Sequence, residues 1–391
     1  MSASNNGRAP SQVDYDLHGL AGIRLMDPSP SDIAAVARQL GPIQAALAGE
    51  PDIVVQFVDR LTLSSRVRYL GLDEAGFTDD AFLVLRSKHG TRAKVQIAFE
   101  QIGRQCRIVC ERGLPAVPLL VPILNLTVLG KGVLPLHASA FTYQGTGVVT
   151  TGWSKGGKTE TLLAFMAHGA EYIGDEWVYI SGDGRRLYGI PEPIRVWDWH
   201  LRYLPGYRAR VSRADRVRLQ TIKLIQTVGE AVPSRAPNGF APVQTLHRVL
   251  PVLRRQLYVD VHPKRLFGQG FGALSGAFDR LFFMVSHESP DVMAEPIRAE
   301  EVARRMVFSL QHERLDFMAY YLKFRFAFPE ARNELIERAE DIQRDLLTRV
   351  LAGKEAHAIY HPYPVPIPAL FDVMRPLVSR QCCGEGRTRP K

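Results

Sequence analysis

The feature that most constrains how this chain can fold is the stretch 147–160, an apolar run that enters the turn Gly152-Trp153-Ser154-Lys155-Gly156-Gly157 and leaves through Lys158-Thr159-Glu160. Gly152, Gly157, Lys158 and Thr159 occupy the fixed positions of G-x-x-x-x-G-K-[ST], the phosphate-binding loop. Such a loop turns its backbone N–H groups inward around a polyphosphate, and side chains at the glycine positions would obstruct that approach. Lys158 then reaches the β- and γ-phosphates and the Thr159 hydroxyl ligates Mg²⁺. ATP and Mg²⁺ are therefore the expected cofactors, with Gly152, Ser154, Lys155, Gly156, Gly157, Lys158, Thr159 and Glu160 around the nucleotide. The flanks agree, because the run before the loop is strand-like and residues 158–168 read as a helix with Leu162, Leu163, Phe165 and Met166 apolar and Gly169 at its end. The plainer alternative is a glycine turn between a strand and a helix.

A chain of 391 residues suits two domains and has ample length to bury a core. It is 46% hydrophobic and 23% charged, as expected of a globular protein. A formal net charge of +9 raises the question of a nucleic-acid partner, yet Lys and Arg are scattered among acids. The nearest approach to a basic run, Arg208, Arg210, Arg213, Arg216 and Arg218, reads as a solvated face, so nucleic acid is not an expected partner. The four cysteines form no C-x-x-C pair, which argues against zinc and against a disulfide framework. Residues 1–12 lack an apolar signal core, and no apolar run is long enough to cross a membrane without interruption. A cytoplasmic protein without a membrane partner is expected.

Along the chain, residues 1–12 read as a disordered leader and 13–113 as a small α+β domain. Within that domain, 31–47 carries a helical apolar stripe capped by Ser31, among strand-like runs at 52–58, 66–70, 81–85, 93–99 and 106–110. Residues 114–298 form the expected catalytic domain. It starts with a proline-interrupted buried segment at 114–129 whose helical part begins late. A hairpin through Gln144-Gly145-Thr146 follows and feeds the loop, and then a strand at 172–180 carries the adjacent acids Asp175 and Glu176. Successive side chains on a strand face opposite ways, so these two acids share one site only if the strand ends or bulges there; Gly174 is compatible with such a break. The Arg- and Pro-rich stretch up to about 251 reads as loops with short helices, a lid or substrate loop among its roles. Strands are expected at 256–261 and 280–287, the latter apolar enough to be central. Residues 299–383 read as a helical region with a proline-rich extended connection at 360–368, and 384–391 as a disordered tail.

His137, the 152–160 loop and the Asp175-Glu176 pair, in that order and at that spacing, resemble the catalytic domain of the HPr kinase/phosphorylase family, which shares a phosphate-loop core with phosphoenolpyruvate carboxykinase. The resemblance spans roughly residues 130–200, about a fifth of the 391. It implies an α/β (α+β) phosphate-loop core of the HPr kinase C-terminal type. It also implies Lys158 as phosphate ligand, Thr159 and Glu176 as metal ligands, Asp175 as the base that takes the acceptor's proton, and His137 beside Asp175; Asp175, His137 and Lys158 form the implied catalytic set. Lys155 stands where the family usually has glycine, and Asp-Glu where it has Asp-Asp. The family's proline-glycine-arginine-asparagine loop is not found, and residues 204–208 substitute for it poorly, so neither phosphorylase activity nor HPr as substrate is expected. What remains is an ATP-dependent kinase acting on a hydroxyl of a peptide, a protein or a small molecule. A nucleotide-binding regulatory or scaffold protein that senses ATP without transferring phosphate is the alternative, and a homo-oligomer is compatible with either.

Plainer roles compete at each position. His137 also reads as a satisfied strand histidine, Asp175-Glu176 as a solvated strand end, Glu160 as a first-turn acid favoured by the helix dipole, and Arg195 as a structural ion pair rather than a transition-state cation. Trp153, Trp177, Trp197 and Trp199 read as core or wall residues, with adenine stacking the alternative.

Overall fold

The computed structural model describes residues 11–72, 74–86, 92–231 and 250–379. It is a mixed α/β structure built on two large mixed sheets, and no helix among the described residues is long and apolar enough to cross a membrane.

The first sheet gathers β1 (Gln12–Leu17), β2 (Ala21–Met26), β3 (Ile53–Val58), β4 (Arg68–Leu70), β5 (Ala75–Phe77), β6 (Phe82–Arg86), β7 (Arg92–Ile97) and β8 (Cys106–Glu111) in the order β1-β2-β3-β8-β7-β6-β5-β4. Strands β2, β3 and β8 run parallel, and β2 reaches β3 through helix α1 (Pro30–Leu40). The sequence pattern carries this helix to residue 47, but it ends at Gly41, whose φ of 71° leaves the helical region just before Pro42. Its cap is Ser29 rather than Ser31, in a reciprocal arrangement with Asp32. The expected leader also ends too late, because β1 already begins at Gln12; residues 1–10 lie outside the described residues.

Helix α2 (Leu120–Gly130), the late-starting helix of the apolar segment, leads into the second sheet. This sheet comprises β9 (Leu134–Tyr143), β10 (Thr146–Gly152), β11 (Glu171–Gly174), β12 (Trp177–Ile180), β13 (Arg186–Gly189), β16 (Ser275–Ala277), β17 (Arg280–Ser286), β18 (Met293–Pro296) and β19 (Glu355–His361). A separate ribbon pairs β14 (Ile194–Trp197) with β15 (Tyr258–Val261). The order β16-β13-β12-β9-β10-β17-β19-β18 places β10, β17 and β19 side by side and parallel, so their C-terminal ends share one edge. That is the edge where α/β sheets hold ligands.

Both faces of the second sheet are covered. Leu136, Ala138, Ala140, Val149, Leu281 and Phe283 belong to a core shared with the first sheet, α2 and the 29-residue helix Ala299–Ala327. The alternate residues Phe141, Val148, Phe282 and Met284 meet helix α3 (Lys158–Met166) and the last helix, Ile367–Val378. Covered faces explain why β17 is apolar without alternation.

Two regions differ from the sequence reading. The stretch beyond 200 contains a 19-residue helix, Arg213–Ala231, where loops with only short helices are expected; its charged, weakly apolar surface hides the helical period. The region beyond 298 is not wholly helical, since β19 enters the second sheet between β17 and β18, and Tyr360 and His361 end that strand instead of starting an extended connection. A boundary at 298 therefore cuts through the sheet. Residues 380–391, and with them the expected tail, lie outside the described residues.

Asn333 joins the halves of the chain. Its Nδ2 donates to the carbonyls of Phe99 at 2.9 Å and Ile102 at 2.8 Å, while its Oδ1 accepts the Ile336 N–H at 3.2 Å. With Asn333 buried, truncation strands these groups away from water. Asn333→Ala should cost about 2–3 kcal/mol in urea unfolding, and a loss indistinguishable from zero would show that water replaces the amide there.

Candidate active site

The loop sits at the end of β10, and two glycines allow its path. At Gly152, φ 152°, a Cβ would fall 2.6 Å from the Met284 carbonyl oxygen; at Gly157, φ 96°, it would fall 2.6 Å from His361 Nε2. Lys155, where the family resemblance has glycine, adopts φ 61°, a left-handed conformation unusual for a lysine, and its side chain is exposed. Lys158 turns back under the loop and donates to the Trp153 carbonyl at 2.9 Å. Burial lowers the pKa of its ammonium, against the opposing charges of Glu176, Asp175, Glu313 and Glu160.

The expected strand at 172–180 does break. β11 pairs with Ala140, Phe141 and Thr142 on β9 and β12 with the stretch from Leu134 to His137, so the gap between them opens opposite Ala138 and Ser139. In that gap Glu176 takes φ 65°, which frees both acids from strict alternation. Asp175 turns inward and accepts from the Ser139 hydroxyl and from Thr159 Oγ1 at 3.0 Å. Burial pushes its carboxyl up to about 6; the Glu176 charge adds to the rise, and the Ser139 and Thr159 hydrogen bonds with the Lys158 charge restrain it. Glu176 turns outward to His137, with Oε2 3.2 Å from Nε2.

His137 therefore lies against Glu176, the acid next to the Asp175 that the resemblance places beside it. The reason lies in the register: Trp177 is opposite His137, and the left-handed turn at Glu176 swings that carboxylate over the ring. The other ring nitrogen, Nδ1, lies 3.0 Å from Glu313 Oε1, an ion-pair contact without hydrogen-bond alignment. Burial pulls the imidazole pKa down, but Glu176 and Glu313 together outweigh it and leave it raised. The hydrogen bond from His137 is the main reason Glu176 stays below the usual carboxylate range.

Glu160, expected at the nucleotide, is bound to His200 Nε2 at 3.0 Å. His200 Nδ1 accepts the Trp197 N–H at 3.3 Å, which assigns the proton on Nε2 and makes it the donor to Glu160. Burial raises the Glu160 pKa, but the His200 hydrogen bond does most to leave it lowered overall. Arg195 is paired with Asp260 at 3.2 Å and packs over the Tyr258 ring, although its charge also reaches Glu176. The structure thus gathers Lys158, Thr159, Asp175, Glu176 and His137, while the Lys155 side chain points to solvent and Glu160 is engaged elsewhere.

Several residues here escape the sequence reading. Ser139 holds Asp175, and His361 contacts the Gly156 carbonyl at 2.8 Å. From the long helix, Ser309 donates to the Gly152 carbonyl, Glu313 reaches His137, and His312 stacks on exposed Trp153 with ring centroids 5.0 Å apart. Positions 309, 312 and 313 share one helical face, a signal that becomes readable only once that face is known to meet the loop. Among the described residues, no group of three or more His, Cys, Asp or Glu side chains could by itself hold a metal ion. No protein-family model and no curated protein matches this sequence.

The Asp175 pKa makes a stability prediction. Its folded value of about 6 lies above the ordinary 3.8. Its contribution to stability is therefore full below the unfolded value and is lost as pH rises through about 6. Asp175→Asn removes that ionisation and should make the ligand-free protein more stable than the parent at pH 8, by on the order of 1–3 kcal/mol, with the gain fading by pH 4. Denaturant unfolding across that pH range tests it; a less stable variant at pH 8 would mean that the carboxylate is not a strained charge.

Proposed function

We propose that this protein is an ATP- and Mg²⁺-dependent kinase that transfers the γ-phosphate to a hydroxyl acceptor on a peptide, a protein or a small molecule, using a phosphate-loop core like that of the HPr kinase/phosphorylase family. The observation that carries the reading is the meeting of Thr159 Oγ1 and the buried Asp175 carboxylate, 3.0 Å apart, next to a buried Lys158 at the mouth of a glycine loop. A glycine turn with no ligand has no use for a buried ammonium facing carboxylates. Two hard oxygen donors suit Mg²⁺, which takes few protein ligands and completes its shell with phosphate oxygens and water. Bound Mg²⁺–ATP would supply the transferable phosphoryl group and neutralise its charge. A cytoplasmic location suits such an enzyme.

In this reading Lys158 leaves the Trp153 carbonyl for the phosphates, and the loop N–H groups position them. The two acids divide the work in the reverse of the order implied by the family resemblance. Asp175 is 3% exposed and tied to Thr159, a place for a metal-side carboxylate that an incoming acceptor does not reach. The Glu176 side chain is 55% exposed and faces solvent, so an acceptor hydroxyl meets it first. A carboxylate of lowered pKa suffices there, because proton removal contributes little in a loose phosphoryl-transfer transition state. His137, with its raised pKa, holds that carboxylate in place and is itself held by Glu313.

Lys158→Ala should weaken binding of a fluorescent ATP analogue by about tenfold or more; unchanged affinity would remove the phosphate-loop reading altogether. The division between the acids is tested by following γ-labelled ATP with a cell extract, and with water alone, as acceptor. Glu176→Gln should bind Mg²⁺–ATP normally yet lose transfer by about a hundredfold, the lower end for a positioned general base. Asp175→Asn should recover transfer as Mg²⁺ is raised. The opposite pattern, with Glu176→Gln rescued by Mg²⁺, would restore the roles implied by the resemblance.

A further inference from the structure

Away from the loop lies a second concentration of positive charge. A pocket of about 70 Å³ opens between the short helix Asp198–Tyr203, the turn Pro205–Arg208 and the helix Arg213–Ala231. Buried Leu201 and Leu219 contribute its apolar lining, and Arg202, Arg208, Arg216 and Lys223 converge on it with Asp198 as the one acid. Arg216, Leu219 and Lys223 fall on one face of their helix, three and four residues apart, so the helix presents both cations to the same space.

Formal charge in the pocket is +3, and it is unevenly neutralised. Asp198 is shared by Arg202 at 3.4 Å and Lys223 at 2.5 Å. Neither Arg208 nor Arg216 has an acidic partner among the described residues, and the Arg216 Nε is buried there without any hydrogen-bond acceptor. A buried guanidinium N–H without an acceptor is costly and uncommon in folded proteins. Converging guanidiniums over an apolar floor match the tetrahedral oxygens of a phosphate group, which they bind through paired N–H donors. The volume admits one such group.

We propose that this pocket binds the phosphate group of a small ligand at a site separate from the phosphate loop. The same short helix carries His200, whose bond to Glu160 in the first turn of α3 puts the pocket one hydrogen bond away from the loop's own helix. The chemistry is shared by free inorganic phosphate and by a phosphate monoester, and both serve as probes.

The full-length chain carrying Lys158→Ala, which empties the loop of its phosphate ligand, is titrated with inorganic phosphate and with glycerol phosphate at constant ionic strength, and binding is followed by ³¹P line broadening and calorimetry. Saturable binding of one equivalent of either probe is expected, weakened by about tenfold or more in Arg208→Gln and in Arg216→Gln and unchanged in Arg218→Gln, outside the pocket. Arg208 is exposed, so its substitution leaves the packing alone, and circular dichroism verifies the fold of each variant. Absence of saturable binding, its loss in Lys158→Ala relative to the parent, or indifference to both arginine substitutions would overturn the proposal. Because the titration is done without a working loop, its failure leaves the kinase reading intact, and failure of the kinase reading leaves the pocket standing.

Discussion

A buried ammonium organises the centre of this structure. Lys158 is 6% exposed, and an isolated ammonium at that depth would give up its proton or pull water in after it. Its charge is balanced by the Trp153 carbonyl and by acids from three directions: Glu160 on its own helix, Asp175 and Glu176 in the break between β11 and β12, and Glu313 on the long helix. Each of those elements must stand where it does for the lysine to stay charged. The dependence runs the other way too, since Asp175 is a buried carboxylate whose pKa Lys158 helps to restrain. Loop, strand break and helix therefore form one electrostatic unit, although they are far apart in the chain.

That unit shows where a sequence can be read and where it cannot. The glycine loop, the hairpin before it and the helix after it follow from local rules, because turn chemistry and apolar period act over a few residues. The strand break was also legible: two adjacent acids after a glycine, on the strand-like stretch that follows the glycine loop and its helix, have no shared site without it. The partner of His137 was not legible, because it depends on which way Glu176 turns, a single left-handed residue that no period reveals. Glu313 and His361 were hidden for a different reason. Each lies in a segment whose own pattern is complete without the site, a charged helix in one case and the end of a short strand in the other.

The helix Arg213–Ala231 illustrates the limit of composition. Its arginines read as a solvated face when taken in a line, and some behave that way, such as Arg218 beside Asp215. Arg216 does not, because its Nε is buried without an acceptor. Charge pattern alone reports that a cation exists, while only the packing of the next element decides whether water or protein must satisfy it.

His361, at the end of β19, touches the carbonyl of Gly156 across 205 residues of sequence. Strand β19 also fills the place between β17 and β18, so the sheet edge on which the loop rests is incomplete without it. On the ribosome the loop emerges long before its brace. A nascent chain that has already made the glycine turn still lacks the neighbour that closes it, and must hold β17 with one edge unpaired until β19 has been synthesised. Pairing so distant in sequence is slow, which places completion of the loop's surroundings after the emergence of residues 355–361, a segment far from any motif.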